Sequence, residues 1–121
     1  MKRNKILYDQ DTYTKNHIVY ELINDVPFTG IRRDLYGNGQ IKSEENYKHG
    51  RLNGVLTSWF ENEQLESETN FKDGWVNGVS KSYYVNGQLE CEANFKNGDL
   101  HGLFESYNEN GELVSSKVYS A

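Results

Sequence analysis

Apolar and polar side chains alternate along most of this chain with a period of two residues. From Leu89 to Phe95 the odd-numbered positions are apolar or small and the even-numbered positions are polar, and residues 64–71 follow the same pattern. Such alternation is typical of a β-strand with one face towards a core. Apolar runs at 55–60 and 79–84 follow glycine-containing turns and predict a second strand in each unit.

The pattern repeats every 24 residues from about Tyr36 to the end of the chain. Each unit reads as strand, glycine turn, strand and hairpin turn. Asn-Gly forms the hairpin turn at positions 38–39, 86–87 and 110–111, and both residues of this dipeptide tolerate positive φ. The second unit has the poorer turn Asn62-Glu63. Matched positions include Ile41, Leu65, Leu89 and Leu113; Glu44, Glu68 and Glu92; Tyr47, Phe71, Phe95 and Tyr119; Trp59, Tyr83 and Tyr107; and Gly54, Gly78 and Gly102. These three glycines are predicted to have a positive φ or to lie where a side chain is excluded.

The chain is therefore predicted to be all-β, an elongated single antiparallel meander of stacked β-hairpin repeats. About nine strands, from residues 18–23 to 112–119, would extend on the order of 40 Å. Residues 1–16 are charged and carry no clear repeat, so they form an N-terminal tail or a cap, and residues 17–121 form the repeat domain. One buried face is predicted to carry Ile41, Leu65, Leu89, Leu113, Tyr47, Phe71, Phe95, Val55, Val79, Trp59 and Tyr83.

Composition and net charge indicate the cellular compartment and the classes of partner that suit the chain. Its 121 residues suit one domain, and its net charge of −5 disfavours nucleic acid and anionic membrane surfaces as partners. No apolar stretch has the length of a signal peptide or a transmembrane span. Cys91 is the single cysteine, so no internal disulfide forms. These features predict a cytoplasmic protein.

The segment from Tyr84 to Gly102 reads Tyr-x-Asn-Gly-Gln-Leu-x-x-Glu-x-x-Phe-Lys-Asn-Gly-x-x-x-Gly. This motif resembles the bacterial variant of the MORN (membrane occupation and recognition nexus) repeat, and the likeness covers roughly residues 18–121. The resemblance implies a sheet of hairpins with a binding rather than a catalytic role. Some bacterial members of the family are classed as antitoxins or immunity proteins, and eukaryotic relatives are linked to membranes and scaffolding.

The reactive side chains of the chain do not form a catalytic or metal-binding pattern. Cys91 occupies a position that serine fills in the other units, and no histidine is tied to it by spacing. His49 and His101 fill polar turn positions, and no pair of histidines has the spacing of metal ligands. The sequence therefore predicts no enzyme activity, no cofactor and no metal site.

The repeated glutamates are interpreted as a structural ladder. Glu44, Glu68 and Glu92 would lie two strands apart, or roughly 9–10 Å, which is too far for them to converge on one ion. The serines that also recur every 24 residues would interleave with the glutamates if the register places both sets on the same face. Those serines are Ser58, Ser82 and Ser106.

Trp75 is a large aromatic residue at a turn position whose equivalents, 51 and 99, are charged. A tryptophan there either folds over a neighbouring turn or anchors an interface. Glu61, Glu63 and Glu66 are close by in sequence and could meet a basic partner. Trp75, Glu61, Glu63 and Glu66 are therefore the candidate partner-binding residues, and a solvated face is the alternative.

The last strand, 112–119, has no following hairpin partner in the sequence and is predicted to be an assembly edge, through self-association in a dimer or in a longer native chain. Lys117 fills an inward position and would guard that edge, whereas Val114 and Val118 place apolar side chains where earlier units have polar ones. The favoured function is a non-catalytic protein-interaction module that binds a partner protein such as a toxin. The alternative is a peripheral membrane or lipid-binding repeat scaffold, which the acidic charge disfavours.

Overall fold

A computed structural model describes residues 5–120 of the chain. Within that range it has eleven strands and one short 3-10 turn at Asp9–Asp11, and no helix there has the length and apolar character needed to span a bilayer. The strands are β1 Ile6–Tyr8, β2 Thr12–Lys15, β3 Ile18–Glu21, β4 Gly30–Leu35, β5 Ile41–Lys48, β6 Arg51–Trp59, β7 Leu65–Lys72, β8 Trp75–Tyr83, β9 Leu89–Lys96, β10 Asp99–Tyr107 and β11 Leu113–Tyr119.

Nine strands form one open sheet in the order β1-β4-β5-β6-β7-β8-β9-β10-β11. From β4 to β11 each strand is antiparallel to the next one in sequence, which confirms the predicted all-β meander of hairpins. The predicted first strand, at residues 18–23, does not belong to this sheet. β3 pairs with β2 in a separate two-stranded sheet, and β1 takes the place at the edge, parallel to β4.

Backbone hydrogen bonds explain why β3 lies outside the main sheet. The Val19 N–H donates to the Gly50 carbonyl at 2.9 Å, and the Phe28 N–H donates to the Val19 carbonyl at 2.8 Å. These bonds dock the N-terminal hairpin, β2 and β3, on the first glycine turn. β1 and β2 fall within residues 1–16, of which 1–4 lie outside the described residues. We propose that the segment 6–28 caps the repeats.

The buried core lies under this N-terminal segment. Val19, Phe28 and Tyr47 are buried together, and Leu7 and Leu52 pack against them. Phe28 is 0% exposed, and its ring centroid lies 5.9 Å from that of Tyr47. The core is therefore built by the first repeat and the N-terminal hairpin together, since a single hairpin layer buries little by itself.

The apolar side chains that were predicted to share one buried face are divided between the two faces. Tyr47 pairs with Leu52 across a two-residue turn, so the even-numbered residues of β6 lie on the face of Tyr47. Val55 is odd-numbered and pairs with Asn70, which places it on the other face. The prediction is wrong because a two-residue turn pairs odd positions of one strand with even positions of the next. Tyr47, Phe71 and Phe95 lie on one face; Val55, Val79, Trp59 and Tyr83 lie on the other.

Beyond the part of the first repeat that the N-terminal segment covers, no second layer lies on either face of the repeats that the structure describes. Most of the apolar side chains there are half-buried, and Leu113 is 55% exposed. The face that carries Tyr47 and the buried Ser58 is called the serine face below. The face that carries Val55 and Glu68 is called the glutamate face.

Two kinds of turn alternate along the meander. Both residues of the tight turns have positive φ, for example 51° at Asn97 and 91° at Gly98, as a type I′ hairpin requires. The Asn-Gly sites differ from the prediction, because Gly87 has a φ of 91° whereas Asn86 does not have a positive φ. There the strands pair up to Tyr83 and Leu89, leaving a five-residue loop. The tight turns occupy one long edge of the sheet, called the turn edge, and the loops occupy the other, called the tip edge.

The glycines after the tight turns have the predicted positive φ, which is 110° at Gly54, 104° at Gly78 and 92° at Gly102. Each one lies in a bulge where the strand register shifts against its partner. The asparagine opposite closes the bulge, as Asn46 does by donating from Nδ2 to the Val55 carbonyl at 2.7 Å. This contact gives the asparagine that recurs every 24 residues a structural role.

Glu63 is the non-glycine residue at the tip-loop position that glycine fills in the other units, and it has a φ of 72°. Replacing Glu63 with glycine is expected to stabilise the protein by about 1 kcal/mol, because it relieves left-handed strain at a non-glycine residue. Thermal unfolding measures the change. Glu61→Gly in the same loop is the control, since Glu61 has no positive φ, and it should lower stability. If Glu63→Gly also lowered stability, the result would contradict the view that Glu63 holds a strained left-handed conformation.

Candidate functional site

The turn edge is held by a regular set of hydrogen bonds between successive turns. The amide N–H groups of Gly50, Gly74 and Gly98 donate to the carbonyls of Phe28, Leu52 and Val76 at 2.7, 2.8 and 2.8 Å. Side chains reinforce all three steps: the Thr29 hydroxyl accepts from the His49 N–H, and the Asn53 and Asn77 amide oxygens accept from the Asp73 and Asn97 N–H groups. The turns are therefore stacked in fixed positions, which gives this edge a rigid backbone.

The residue that follows each turn glycine lies over the glycine of the next turn. The Arg51 Nη1 atom is 3.9 Å from the position that a Cβ atom on Gly74 would occupy, and the Trp75 ring is 2.8 Å from the equivalent position on Gly98. Trp75 is nevertheless 64% exposed. Trp75 thus folds over a neighbouring turn, as one of the two predicted alternatives requires, and still presents most of its indole to solvent.

A cleft opens where the N-terminal hairpin meets the turn edge. It has a volume of about 560 Å³, which lies within the range of small ligand pockets. Thr14 and His17 of the hairpin form one wall, and Arg51 and Trp75 form the other. The apolar floor comes from Val19, Tyr47 and Leu52. Because the hairpin is present once, this cleft is built only at the first two turns of the described repeats.

The charged groups of the cleft differ in whether they have a partner. The Arg32 guanidinium donates to Glu45 at 3.1 Å and lies 5.1 Å from the centroid of the Tyr47 ring. Arg51, by contrast, has no carboxylate within 4.0 Å among residues 5–120, and neither has Lys48 in an adjoining cavity. Asp73 is the acidic group on the rim of the cleft. Arg51 is therefore a cation that is available to a ligand beside an exposed indole.

The acidic candidates lie away from Trp75. Glu61 and Glu63 are in the tip loop between β6 and β7, and Glu66 is at the start of β7, whereas Trp75 begins β8 at the far end of that strand. An eight-residue strand spans about 26 Å. The four candidate residues therefore occupy opposite long edges and form two separate surfaces. At the tip edge, desolvation together with the charges of Glu66 and Glu61 raises the pKa of Tyr36.

The glutamates and serines that recur in the repeats lie on opposite faces. Glu68 pairs with Thr57 and Lys81, whereas Ser58 pairs with Ser67 and their hydroxyl oxygens are 2.6 Å apart. The interleaving of serines with glutamates therefore does not occur, because odd and even positions of one strand point to opposite faces. The glutamates instead have cationic neighbours, as Glu44 does in its ion pair with Arg33.

Cys91 lies in the row of small residues on the serine face, with Ser82 and Ser106 as its strand partners. Burial, with a smaller contribution from the charge of Glu90, raises the pKa of the Cys91 thiol. A raised pKa lowers the fraction of reactive thiolate at neutral pH. In the part of the chain that the structure describes, no three His, Cys, Asp or Glu side chains are grouped so that they could hold a metal ion.

The last described strand, β11, has a neighbour only on the β10 side among residues 5–120. Val118 is 72% exposed, and Val114 is also exposed. The Lys117 ammonium lies 4.8 Å from the centroid of the Tyr119 ring, a cation–π geometry that holds the charge on the sheet. Self-association through this strand remains a prediction.

The sequence interpretation missed two parts of the cleft. Arg51 was read only as an ordinary charged turn residue, although it shares its repeat position with Trp75. That shared repeat position could have predicted that Arg51 and Trp75 lie near each other, since residues 24 apart occupy equivalent places on successive turns. His17 and Thr14 lie outside the repeats, so their position against the first turn could not be obtained from the period.

The sequence comparisons bear on the repeats and not on the cleft. A model of the MORN repeat variant matches the chain four times in tandem, at residues 28–49, 52–73, 76–97 and 100–121. Successive matches begin 24 residues apart, in agreement with the predicted period. No curated protein sequence matches the chain. No solved structure matches it either.

Proposed function

The chain belongs to the MORN repeat variant family, and we propose that it acts as a non-catalytic protein-interaction module anchored by Trp75. Modules of this family are generally non-enzymatic and mediate interactions. A partner protein is the favoured ligand because the chain combines an acidic net charge of −5 with an aromatic anchor on a rigid edge.

One observation carries this proposal. Trp75 is 64% exposed although it is the first residue of β8, whose turn is fixed by hydrogen bonds to the turns on both sides. A large aromatic side chain on a rigid backbone loses little conformational entropy when it binds, which is why tryptophan is enriched among interface anchors.

The finer proposal is that the partner is a toxin that this chain neutralises in the cytoplasm as an antitoxin or immunity protein. The family resemblance supports this class of partner. The tip-edge glutamates, Glu61, Glu63 and Glu66, then form a second contact with a basic region of the same partner. A partner that reaches both edges must span the width of the sheet, about 26 Å.

Trp75→Ala is expected to weaken binding of the partner by about 2 kcal/mol, which is close to a thirtyfold higher Kd. The measurement begins with affinity capture from the native source on the immobilised wild-type chain, followed by calorimetric titration of the captured protein. Val85→Ala is the matched control, because Val85 is an exposed apolar residue in a tip loop. Equal capture by the wild type and by Trp75→Ala would overturn the anchoring role.

A second candidate function, peripheral membrane or lipid binding, has one observation in its favour. The loop between β3 and β4 exposes Leu22, Ile23 and Val26, and Ile23 is 92% exposed. Aliphatic side chains on a projecting loop can enter the interfacial region of a bilayer. Flotation with anionic vesicles distinguishes the two functions: binding that is lost in Ile23→Asp would favour the membrane.

A further inference from the structure

We infer that the cleft between the N-terminal hairpin and the turn edge binds an extended acidic segment of the partner protein. The carboxylate of this segment is received by Arg51, and an apolar side chain of the same segment packs on Trp75. This inference rests on the proposed function, and it names the chemistry of the segment that the anchor meets.

The charge of the cleft supports an acidic ligand. Arg32 is neutralised by Glu45, and Arg51 and Lys48 remain without a carboxylate partner within 4.0 Å among the described residues. Lys48 and His49 line an adjoining cavity, which shares Arg51, Asp73 and Trp75 with the cleft. Across the cleft and this adjoining cavity, Arg51 and Lys48 stand against the one carboxylate of Asp73, so this part of the turn edge is positive on a chain whose overall charge is −5. A carboxylate placed on Arg51 accepts two parallel hydrogen bonds, which a lysine does not offer.

The spacing of the two anchors defines the segment. Arg51 and Trp75 begin β6 and β8, which are two strand spacings apart, or about 9.6 Å. A segment in the extended polyproline II conformation rises about 3.1 Å per residue with three residues per turn, so three residues cover this distance and bring both side chains to the same side. The acidic and the apolar side chain of the ligand are therefore expected about three positions apart. On the floor of the cleft Val19 and Tyr47 are buried, and the half-buried Leu52 adds apolar surface to that of Trp75.

The walls of the cleft explain why the segment binds at this place and not at every turn. The position of Arg51 and Trp75 recurs at Asp99, which carries the opposite charge. The opposing wall of Thr14 and His17 belongs to the N-terminal hairpin, and that hairpin is docked on the first turn at Gly50. A partner segment thus meets a cationic and aromatic site at a single position on the repeat array.

The inference is tested by selecting a phage library of random dodecapeptides on the immobilised full chain. The expected peptides carry Asp or Glu about three residues from an apolar side chain. The strongest peptide is then synthesised and titrated by fluorescence polarisation. Its Kd should rise at least tenfold for Arg51→Glu and for Trp75→Ala, and also when the acidic residue of the peptide is changed to its amide. Circular dichroism verifies that both variants are folded.

Lys96→Glu is the matched control, because it changes the net charge equally at a turn outside the cleft. Selected peptides without acidic residues, or equal losses in Lys96→Glu and Arg51→Glu, would overturn the inference. The inference would also be overturned if the selection yielded no peptide and phosphatidylserine vesicles bound the wild type but not Arg51→Glu. A captured partner that depends on Trp75 and is indifferent to Arg51→Glu overturns the acidic segment alone and leaves the proposed function standing.

Discussion

Replacing Gly50 with alanine is expected to lower the free energy of unfolding by about 3–4 kcal/mol. Gly50 has a φ of 80°, and the left-handed conformation costs a non-glycine residue about 1–2 kcal/mol. A Cβ atom at Gly50 would also lie 2.4 Å from the Ile18 Cγ2 atom and 2.8 Å from the Val19 carbonyl oxygen. The N-terminal hairpin would have to move, and such overpacking adds about 1–3 kcal/mol.

Two further alanine substitutions separate strain from steric conflict. Gly74 has a φ of 89° in the same repeat position, and the nearest atom to its added Cβ is 3.9 Å away, so Gly74→Ala should cost only about 1–2 kcal/mol. Gly37 has open space and no positive φ, so Gly37→Ala should be nearly neutral. Urea unfolding of the three variants measures the series. Equal costs for Gly50→Ala and Gly74→Ala would contradict docking of the hairpin on the first turn.

Phe28→Ala is expected to cost about 3–5 kcal/mol, as other large-to-small substitutions in protein cores do. Phe28 is fully buried between Val19 and Tyr47, and its removal leaves a cavity that the N-terminal hairpin cannot fill without leaving the first turn. Because each repeat contacts only its neighbours, the loss should remain local. Hydrogen exchange should therefore accelerate in β1 to β3 while β8 to β10 stay protected.

Phe60→Ala provides the comparison for this substitution. Phe60 is a half-buried side chain in a tip loop, so the same change in volume should cost clearly less than at Phe28. A uniform rise in exchange across all strands in Phe28→Ala would show that the chain unfolds as one unit. The N-terminal hairpin would then not be an independent element.

The repeated part of the fold could be predicted from the sequence because its information is local. Alternation between Leu89 and Phe95 predicts β9, and the 24-residue period predicts the meander. The division of Val55 and Tyr47 between two faces was not predicted, because it depends on the register across the turn. That register follows from the two positive φ angles at His49 and Gly50, and periodicity carries no information about either angle.

The candidate site was predicted in part. Trp75 was identified because it breaks the pattern of charged residues at its repeat position, and the structure places it on an exposed, fixed edge. Its grouping with Glu61 and Glu63 relied on sequence proximity, which fails when a whole strand separates two loops. The wall of the cleft was missed because the docking of β3 on Gly50 is a long-range contact that no repeat encodes.

The stacked turns also have a mechanical consequence. The strands run across the long axis of the sheet, so a pulling force along that axis loads the hydrogen bonds of one strand pair at a time. Under such tension the sheet would unzip from an end in discrete steps. Each released repeat of 24 residues would add about 80 Å of extended chain. A partner bound across the first two turns would then stabilise the repeats nearest the N-terminal hairpin. The repeats at the other end of the sheet would unfold first.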